Sequence, residues 1–236
     1  MILHLTTSEK PTTTQTTNMK IALLLALALT AVHAQAGSWI RLFDGKPTDK
    51  LRGYRQQSFP TQNWVIDNGA LKTVPGKSAD LATTESFKNF DLRFEWKVSN
   101  GGNSGIIYNV AEINAPAYET GPEYQVLDNL VHPDGKNPKT SAGALYALLA
   151  PSPNHSLKKV GEFNTGRIVS KNGKVEHYVN GKKVLEYQWG SPEVKALVAQ
   201  SKFKNMAGFM THTEGLIVFQ HHGEEVWYRN IKIRKL

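Results

Sequence analysis

Apolar and polar residues alternate along several stretches of the chain, and this period of two predicts β-strands. FDLRFEWKV, from Phe90 to Val98, alternates throughout its length and predicts a half-buried strand. KNGKVEHYVNGKKVLEY contains two Asn-Gly pairs between alternating residues, which predicts a meander with residues 174–179 as its middle strand. GLIVFQHHGEEVWYRNIKIRKL predicts two further strands with a break around Gly223.

Two segments depart from this alternation. SPEVKALVAQSKF begins with Ser191, Pro192 and Glu193, a combination typical of a helix N-terminus, so one short helix is predicted there. Residues 129–142 hold two prolines and a glycine with little apolar content and predict a long surface loop. The chain from 37 to 236 has no repeat of fixed period and no linker. We therefore expect a single all-β domain, a two-sheet antiparallel β-sandwich with one short helix.

The first 36 residues have a different character. Residues 1–18 are polar and aperiodic, and we interpret them as a non-structural leader or a start-site artefact. Met19 and Lys20 precede an apolar run and then small residues, the layout of a cleavable secretory signal at 19–34. The apolar run is too short to span a bilayer, so no stable membrane insertion is expected after cleavage. This predicts a secreted or periplasmic protein of the bacterial envelope.

Composition narrows the function classes. The chain has no cysteine, which excludes disulfides, thiol nucleophiles and thiolate metal sites. Its net charge is +8, but the basic residues are scattered rather than gathered on one helix or arm. Scattered charge and predicted export together argue against a nucleic-acid partner.

Three predicted strands carry two polar side chains at a spacing of two. The pairs are Glu123 with Gln125, Gln220 with His222, and Glu162 with Asn164. Alternate side chains of a strand point to the same face, so each pair shares a face. We expect the three pairs to line one hollow that holds a sugar by hydrogen bonds.

Nine segments, in this order, make the chain resemble the 3-keto-disaccharide hydrolase family, formerly a domain of unknown function. The resemblance covers essentially all of residues 37–236 and rests on LFDGK, WVIDNGAL, NSGIIY, EYQVLDN, GALY, GEFNTGRIV, HYVNGKKV, SKF and FQHHGEEVWYRNI. It implies a concanavalin A-like jelly roll that cleaves glycosides whose sugar is oxidised at carbon 3. The family usually has Gln-Asp-His-Gly where this chain has Gln220-His221-His222-Gly223, so an imidazole replaces an acid.

The resemblance also suggests which residues face the substrate. The matching positions are Asn103, Glu123, Gln125, Asp128, Glu162, Asn164, Gln220, His222 and Arg229. A ketone at carbon 3 acidifies the proton on carbon 2, so a base can remove it, the enolate can expel the group on carbon 1, and water can add afterwards. No dinucleotide-binding motif occurs in the chain, so another enzyme would oxidise the sugar.

We assign roles to these residues on that chemistry. Either His222 or Glu123 is the base, and the other, or Glu162, is the proton donor. The binding or enolate-stabilising groups are Asn103, Gln125, Asp128, Asn164, Gln220 and Arg229. A divalent metal held by His222 with Glu123 is a possible cofactor, although nothing in the spacing requires one.

Other interpretations stay open from sequence alone. Glu123 could instead form a cross-strand ion pair with Arg167 or Arg229, and His222 could be an ordinary loop residue beside Gly223. The same fold supports lectins, so a non-catalytic carbohydrate-binding domain is the main alternative. A structural domain of the envelope is the third.

Overall fold

The computed structural model describes residue 1 and residues 37–76, 78–113 and 116–236. Apart from residue 1, the predicted leader and signal peptide therefore lie outside the described residues. No helix among the residues described is long and apolar enough to cross a membrane.

Two antiparallel sheets make up the fold, as predicted. The larger sheet has the order β11-β10-β9-β6-β13-β4-β3, with β1 also paired to β13. The smaller sheet has the order β2-β5-β12-β7-β8. The strands are β1 (Ile40–Phe43), β2 (Leu51–Gly53), β3 (Trp64–Asp67), β4 (Ala70–Thr73), β5 (Leu81–Thr83), β6 (Phe90–Val98), β7 (Asn103–Val110), β8 (Glu123–Leu127), β9 (Asn164–Lys171), β10 (Lys174–Val179), β11 (Lys182–Gln188), β12 (Leu216–Phe219) and β13 (Val226–Lys235).

The main core lies between the two sheets and is built from alternate residues of each strand. Phe94 of β6 meets Tyr124 of β8 edge to face, with 5.4 Å between ring centroids. Phe219 of β12 and Tyr228 of β13 make a similar contact at 5.4 Å. Such aromatic contacts across sheets orient β8 and β12. Consequently Glu123, next to Tyr124, points to the outer face of the smaller sheet.

The predicted meander is confirmed. β9, β10 and β11 are consecutive antiparallel neighbours, and β10 spans Lys174–Val179. Asn172 and Asn180 both have positive φ, at 52° and 48°, and each precedes a glycine with φ 80°. Two successive positive φ values are what a tight two-residue hairpin requires, which is why Asn-Gly occurs at both turns.

The predicted helix is also confirmed, as α1 (Pro192–Ala199). The hydroxyl of Ser191 accepts a hydrogen bond from the backbone N–H of Val194 at 3.3 Å, so Ser191 caps it. The predicted loop at 129–142 differs in detail, because it contains 3-10 helices at Pro133–Lys136 and Pro138–Thr140. Their short turns let Thr140, Ser141 and Ala142 lie buried beside β8.

Candidate active site

A cavity of about 150 Å³ lies on the outer face of the smaller sheet, over β7 and β8. This volume suits a single sugar ring rather than a chain of them. Its walls are side chains from β7, β8, the residues that follow β12, and three loops. They are Asn103, Tyr118, Glu123, Gln125, Tyr146, Lys202, Phe203, Gln220 and His222.

Five residues predicted to face the substrate therefore meet at one place. They are Asn103, Glu123, Gln125, Gln220 and His222. The alternation predicted for EYQVL is confirmed, because Tyr124 and Val126 join the core between the sheets. β8 is nevertheless buried on both faces, since loops cover the face that carries Glu123.

Glu123 is a buried carboxyl group without a partner. Its exposed fraction is 8%, and none of the described residues donates a hydrogen bond to its carboxylate. The ion pairs considered from sequence are not formed. Arg167 binds Asp91 at 2.7 Å, and Arg229 binds Glu95 at 2.8 Å. The cross-strand ion-pair interpretation of Glu123 is thereby excluded.

Gly105 provides the space that this carboxyl group occupies. Gly105 lies in β7, opposite Gln125 of β8. A Cβ atom added to Gly105 would overlap Oε1 of Glu123 and lie 2.6 Å from both its Cδ and its Cγ. The Glu123 side chain thus lies across the bare backbone of Gly105, and no larger residue fits beneath it.

Burial raises the pKa of Glu123 to about 8. The positive charge of Lys202 lowers this pKa, whereas the charges of Asp80 and Asp134 raise it. A carboxyl group whose pKa lies near neutral pH can both take up and release a proton during catalysis.

Removing the charge of Lys202 is expected to raise the pKa of Glu123 further. In Lys202→Met, the rise of kcat/KM with pH that reflects ionisation of Glu123 should move to higher pH, by roughly one pH unit. Lys204→Met, which removes a nearby exposed lysine outside the cavity, should leave the profile in place. Identical profiles for Lys202→Met and the unmodified protein would contradict this electrostatic coupling.

Asn103 offers a hydrogen-bond donor to the cavity, and His132 determines this. The backbone N–H of Asp134 donates to Nδ1 of His132 at 3.2 Å, so a neutral ring carries its proton on Nε2. The structure places Nδ2 of Asn103 3.4 Å from that Nε2, which sets two N–H donors against each other. Only the amide oxygen can accept this proton, so we assign the amide the opposite orientation, in which Oδ1 is satisfied by His132 and Nδ2 faces the cavity.

Gln125 supplies the complementary acceptor. Its Nε2 donates to the carbonyl oxygen of Thr140 at 3.2 Å, which fixes the amide. Its Oε1 is buried and has no partner among the described residues. A buried, unpartnered acceptor in a cavity wall is a candidate contact for a substrate hydroxyl group.

His222 is held in place by Glu224 rather than by a residue at position 221. Nδ1 of His222 lies 3.0 Å from Oε2 of Glu224. A proton on Nδ1 donates to this carboxylate and leaves Nε2 available for proton transfer. The side chain is about half exposed, at 47%, so it lies at the mouth of the cavity. It is therefore a cavity residue and not only part of a loop.

His221, the residue that departs from the family pattern, points into the core. Its ring meets Trp64 edge to face at 5.6 Å, and Nε2 lies 3.0 Å from the carbonyl oxygen of Val74. Its backbone N–H donates to Asp80, whose pKa burial raises to about 6. Among the described residues, the His221 ring contacts Trp64 and Val74, so this ring does not orient His222, which is hydrogen-bonded to Glu224. Asp80, next to both, was not predicted.

Four residues predicted to face the substrate lie elsewhere, which corrects the expectation of one shared hollow. Arg229 is on the outer face of the larger sheet, where its guanidinium stacks on Phe163 at 3.8 Å. Glu162 is exposed in the turn before β9. Asn164 accepts a hydrogen bond from the backbone N–H of Lys158 at 2.9 Å and so holds a loop.

Asp128 also has a structural position. It is 3% exposed, and its two carboxylate oxygens accept hydrogen bonds from the backbone N–H groups of Gly101 and Leu130, at 2.8 Å and 3.0 Å. These two bonds tie the turn between β6 and β7 to the loop after β8. Asp128 supports the wall of the site without lining the cavity.

Sequence reasoning missed two prominent cavity residues, Tyr146 and Lys202. The hydroxyl of Tyr146 donates to Oδ2 of Asp134 at 3.1 Å, and Nζ of Lys202 lies 4.2 Å from the centre of the Tyr146 ring. Burial and the adjacent Asp134 raise the pKa of Tyr146. Both residues belong to quoted motifs, GALY and SKF, but they lie in loops, where no alternation indicates which way a side chain points.

No group of three or more histidine, aspartate or glutamate side chains converges at metal-binding distance in the part of the chain that the structure describes. His222 and Glu123 line the same cavity, so the pair considered as metal ligands is at least brought together. The arrangement that is present combines a carboxyl group of raised pKa, an imidazole, a cation and two oriented amides. These are the groups that proton transfer at a carbon next to a ketone requires.

Comparison with known proteins identifies relatives over almost the whole described domain. Residues 38–234 match the family model of the 3-keto-α-glucoside-1,2-lyase-like domain. A 3-keto-disaccharide hydrolase of Bacteroides thetaiotaomicron is 36% identical over 85% of this chain and 79% of its own length. A crystal structure of a Parabacteroides distasonis protein, provisionally assigned as a glycosyl hydrolase, is 30% identical with a TM-score of 0.78, covering 85% of this chain and 94% of that one.

A more distant structure shows how widely the fold is shared. A non-specific endo-β-1,3(4)-glucanase of glycoside hydrolase family 16 has a TM-score of 0.52 at 10% identity, over 84% of this chain and 95% of its own. At that identity the likeness concerns the jelly-roll fold alone. The predicted fold class and family are confirmed.

Proposed function

Because the chain belongs to the 3-keto-α-glucoside-1,2-lyase-like family of glycoside-cleaving enzymes, we propose that it cleaves 3-keto-glycosides by elimination followed by hydration. The observation that carries the proposal is Glu123, a buried and unpartnered carboxyl group with a pKa of about 8 in a cavity that fits one sugar ring. The predicted signal at 19–34 supports action in the periplasm or outside the cell.

Glu123, in its ionised form, is the base. It removes the proton from carbon 2, and the electrons of that C–H bond form an enolate with carbon 3 and its oxygen. The negative charge on that oxygen is stabilised by donors and cations, for which Lys202 and Nδ2 of Asn103 are placed in the cavity wall. A base with a pKa near the working pH balances the fraction ionised against its strength.

The enolate then expels the leaving group. The bond from carbon 1 to the glycosidic oxygen breaks, a double bond forms between carbons 1 and 2, and the ketone is restored. His222 supplies a proton to the departing oxygen, and the hydrogen bond from its Nδ1 to Glu224 keeps the ring in place. Water then adds to carbon 1 and gives up a proton to His222, while carbon 2 recovers a proton from Glu123. Both side chains return to their starting states, so the net reaction is hydrolysis. Release before water adds would make the enzyme a lyase.

The roles differ from those suggested by sequence in one respect. Glu162 was a possible proton donor, but it is exposed outside the cavity, so the acid and base functions fall to His222 and Glu123.

The test is to incubate the purified protein with 3-keto-trehalose in D₂O, with unoxidised trehalose as the control. Elimination predicts release of glucose from the oxidised sugar only, with deuterium at carbon 2 of the 3-keto product by NMR. Samples without protein correct for spontaneous exchange. Release without deuterium would contradict the elimination route, and binding without release would favour the lectin-like alternative.

A further inference from the structure

A second cavity lies at the opposite end of β7 from the candidate active site. Its volume is about 480 Å³, and its walls come from β7, β9, the β9–β10 turn, the residue after β11, and the segments that precede β6 and β12. It is lined by Lys88, Asn89, Asn109, Ser170, Asn172, Gly173, Trp189 and Thr213. Asn103 and Asn109 mark the two ends of the strand and are separated by about 20 Å. The two cavities are therefore distinct sites.

The chemistry of this second cavity differs from that of the first. It contains no carboxylate or histidine, only amides, hydroxyl groups, one lysine and one tryptophan. It therefore lacks the carboxylate and imidazole that the first cavity offers for proton transfer. Amides and an aromatic surface are, however, the groups that bind sugar hydroxyls and the apolar face of a pyranose ring.

Trp189 is the aromatic surface. It is half-buried and stacks on Tyr187, with ring centroids 6.4 Å apart and an interplanar angle of 30°. Its backbone N–H donates to the carbonyl oxygen of Gly173 at 2.7 Å, which ties it to the β9–β10 turn. The hydrogen bond fixes the backbone of Trp189, and the stacking contact fixes its indole ring. A rigid aromatic side chain loses little conformational entropy when a ligand packs on it.

Asn109 is the observation that points to a ligand. It is 2% exposed, and its buried Oδ1 has no hydrogen-bond partner among the described residues. Its backbone has a φ of 54°, a left-handed conformation that few residue types adopt readily. Asparagine is among the residue types that tolerate this φ, so the feature that requires an explanation is the unpartnered Oδ1, and a ligand that donates a hydrogen bond to it supplies one.

We propose that this second cavity binds a neutral hexose unit of an oligosaccharide, which stacks on Trp189 and donates a hydroxyl hydrogen bond to Asn109. The site recognises sugar without cleaving it. Because it lacks acidic groups and needs no ketone, it accepts unoxidised glycans and does not depend on the proposed reaction. The chain would then hold a glycan at one end of the sandwich and cleave an oxidised glycoside at the other.

Calorimetry with neutral trisaccharides tests this in a Glu123→Gln background, which removes the proposed base of the first cavity, and variants of the second cavity then show which site binds. The probes are maltotriose, cellotriose, laminaritriose, mannotriose and galactotriose. At least one should bind, and Trp189→Ala should weaken that binding about tenfold or more, because the stacking surface is lost. Trp39→Ala removes a half-buried tryptophan outside both cavities and should bind as before.

Asn109→Gly provides the second variant, since glycine tolerates the positive φ and only the amide is lost. It should weaken binding about fivefold or more while circular dichroism shows a folded protein. If Trp189→Ala does not fold, trisaccharide binding by Asn109→Gly alone tests the proposal. Binding of none of the five trisaccharides, or unchanged binding in Asn109→Gly, would overturn the proposal.

Discussion

Glu123→Gln is expected to lower kcat/KM on a 3-keto-glucoside by about 10²-fold to 10⁴-fold while leaving the protein folded. Glutamine has nearly the same shape but cannot take a proton from carbon 2. Glu162→Gln is the matched control, because that carboxylate is exposed and outside the cavity, and it should retain activity. Comparable losses in both variants would show that the carboxyl group of Glu123 has no special role.

The same substitution should stabilise the protein at alkaline pH. The folded-state pKa of Glu123, about 8, lies above its value of about 4.3 in the unfolded chain, so the folded state holds the proton more tightly. Stability is therefore full below the unfolded pKa and is lost as pH rises to about 8. The loss amounts to about 3–5 kcal/mol, and Glu123→Gln should not show it.

Urea unfolding at pH 5 and pH 9 measures this effect. The difference in unfolding free energy between Glu123→Gln and the unmodified protein should grow by that amount towards alkaline pH. Titrating groups that are not coupled to Glu123 contribute equally to both proteins and cancel. A difference that does not change with pH would mean that Glu123 ionises normally.

Gly105→Ala is expected to abolish most activity without removing any reacting group. A methyl group at Gly105 overlaps the carboxyl group of Glu123, so that side chain must leave its position. We expect kcat/KM to fall about 10²-fold and the free energy of unfolding to fall by about 1–3 kcal/mol. Gly208→Ala is the control, because its nearest atom would be 3.3 Å away and belongs to the side chain of Thr120.

The double variant separates steric displacement from general damage to the sheet. If Gly105→Ala acts by displacing Glu123, adding Glu123→Gln should cost little further activity, since both changes disable the same group. Activity losses that multiply in the double variant would contradict this. Full activity in Gly105→Ala alone would show that Glu123 works from another position.

The fold could be predicted from sequence because its signals are local. β6 is bounded as expected, since Phe90–Val98 alternates without a break, and both Asn-Gly pairs form turns with positive φ. Alternation also predicted that Glu123 and Gln125 share the face opposite to Tyr124, which packs in the core. In each case a short stretch of chain carries all the information.

The site could be predicted only in part, because alternation shows that two side chains share a face but not which sheet or which side that face belongs to. Gln220 and Glu123 belong to neighbouring parts of the smaller sheet and meet. Arg229 obeys the same alternation, yet β13 is in the larger sheet, so its polar face is on the other side of the molecule. Lys202 and Tyr146 reach the cavity from loops, where spacing carries no orientation.

The account depends on one buried carboxyl group that ionises near neutral pH, and NMR titration of the protein with ¹³C-labelled glutamate side chains measures that directly. We predict one carboxyl resonance that titrates with a pKa of about 8 and disappears in Glu123→Gln. If every glutamate resonance titrates below about pH 6, as ordinary glutamates do, Glu123 is not the base described here.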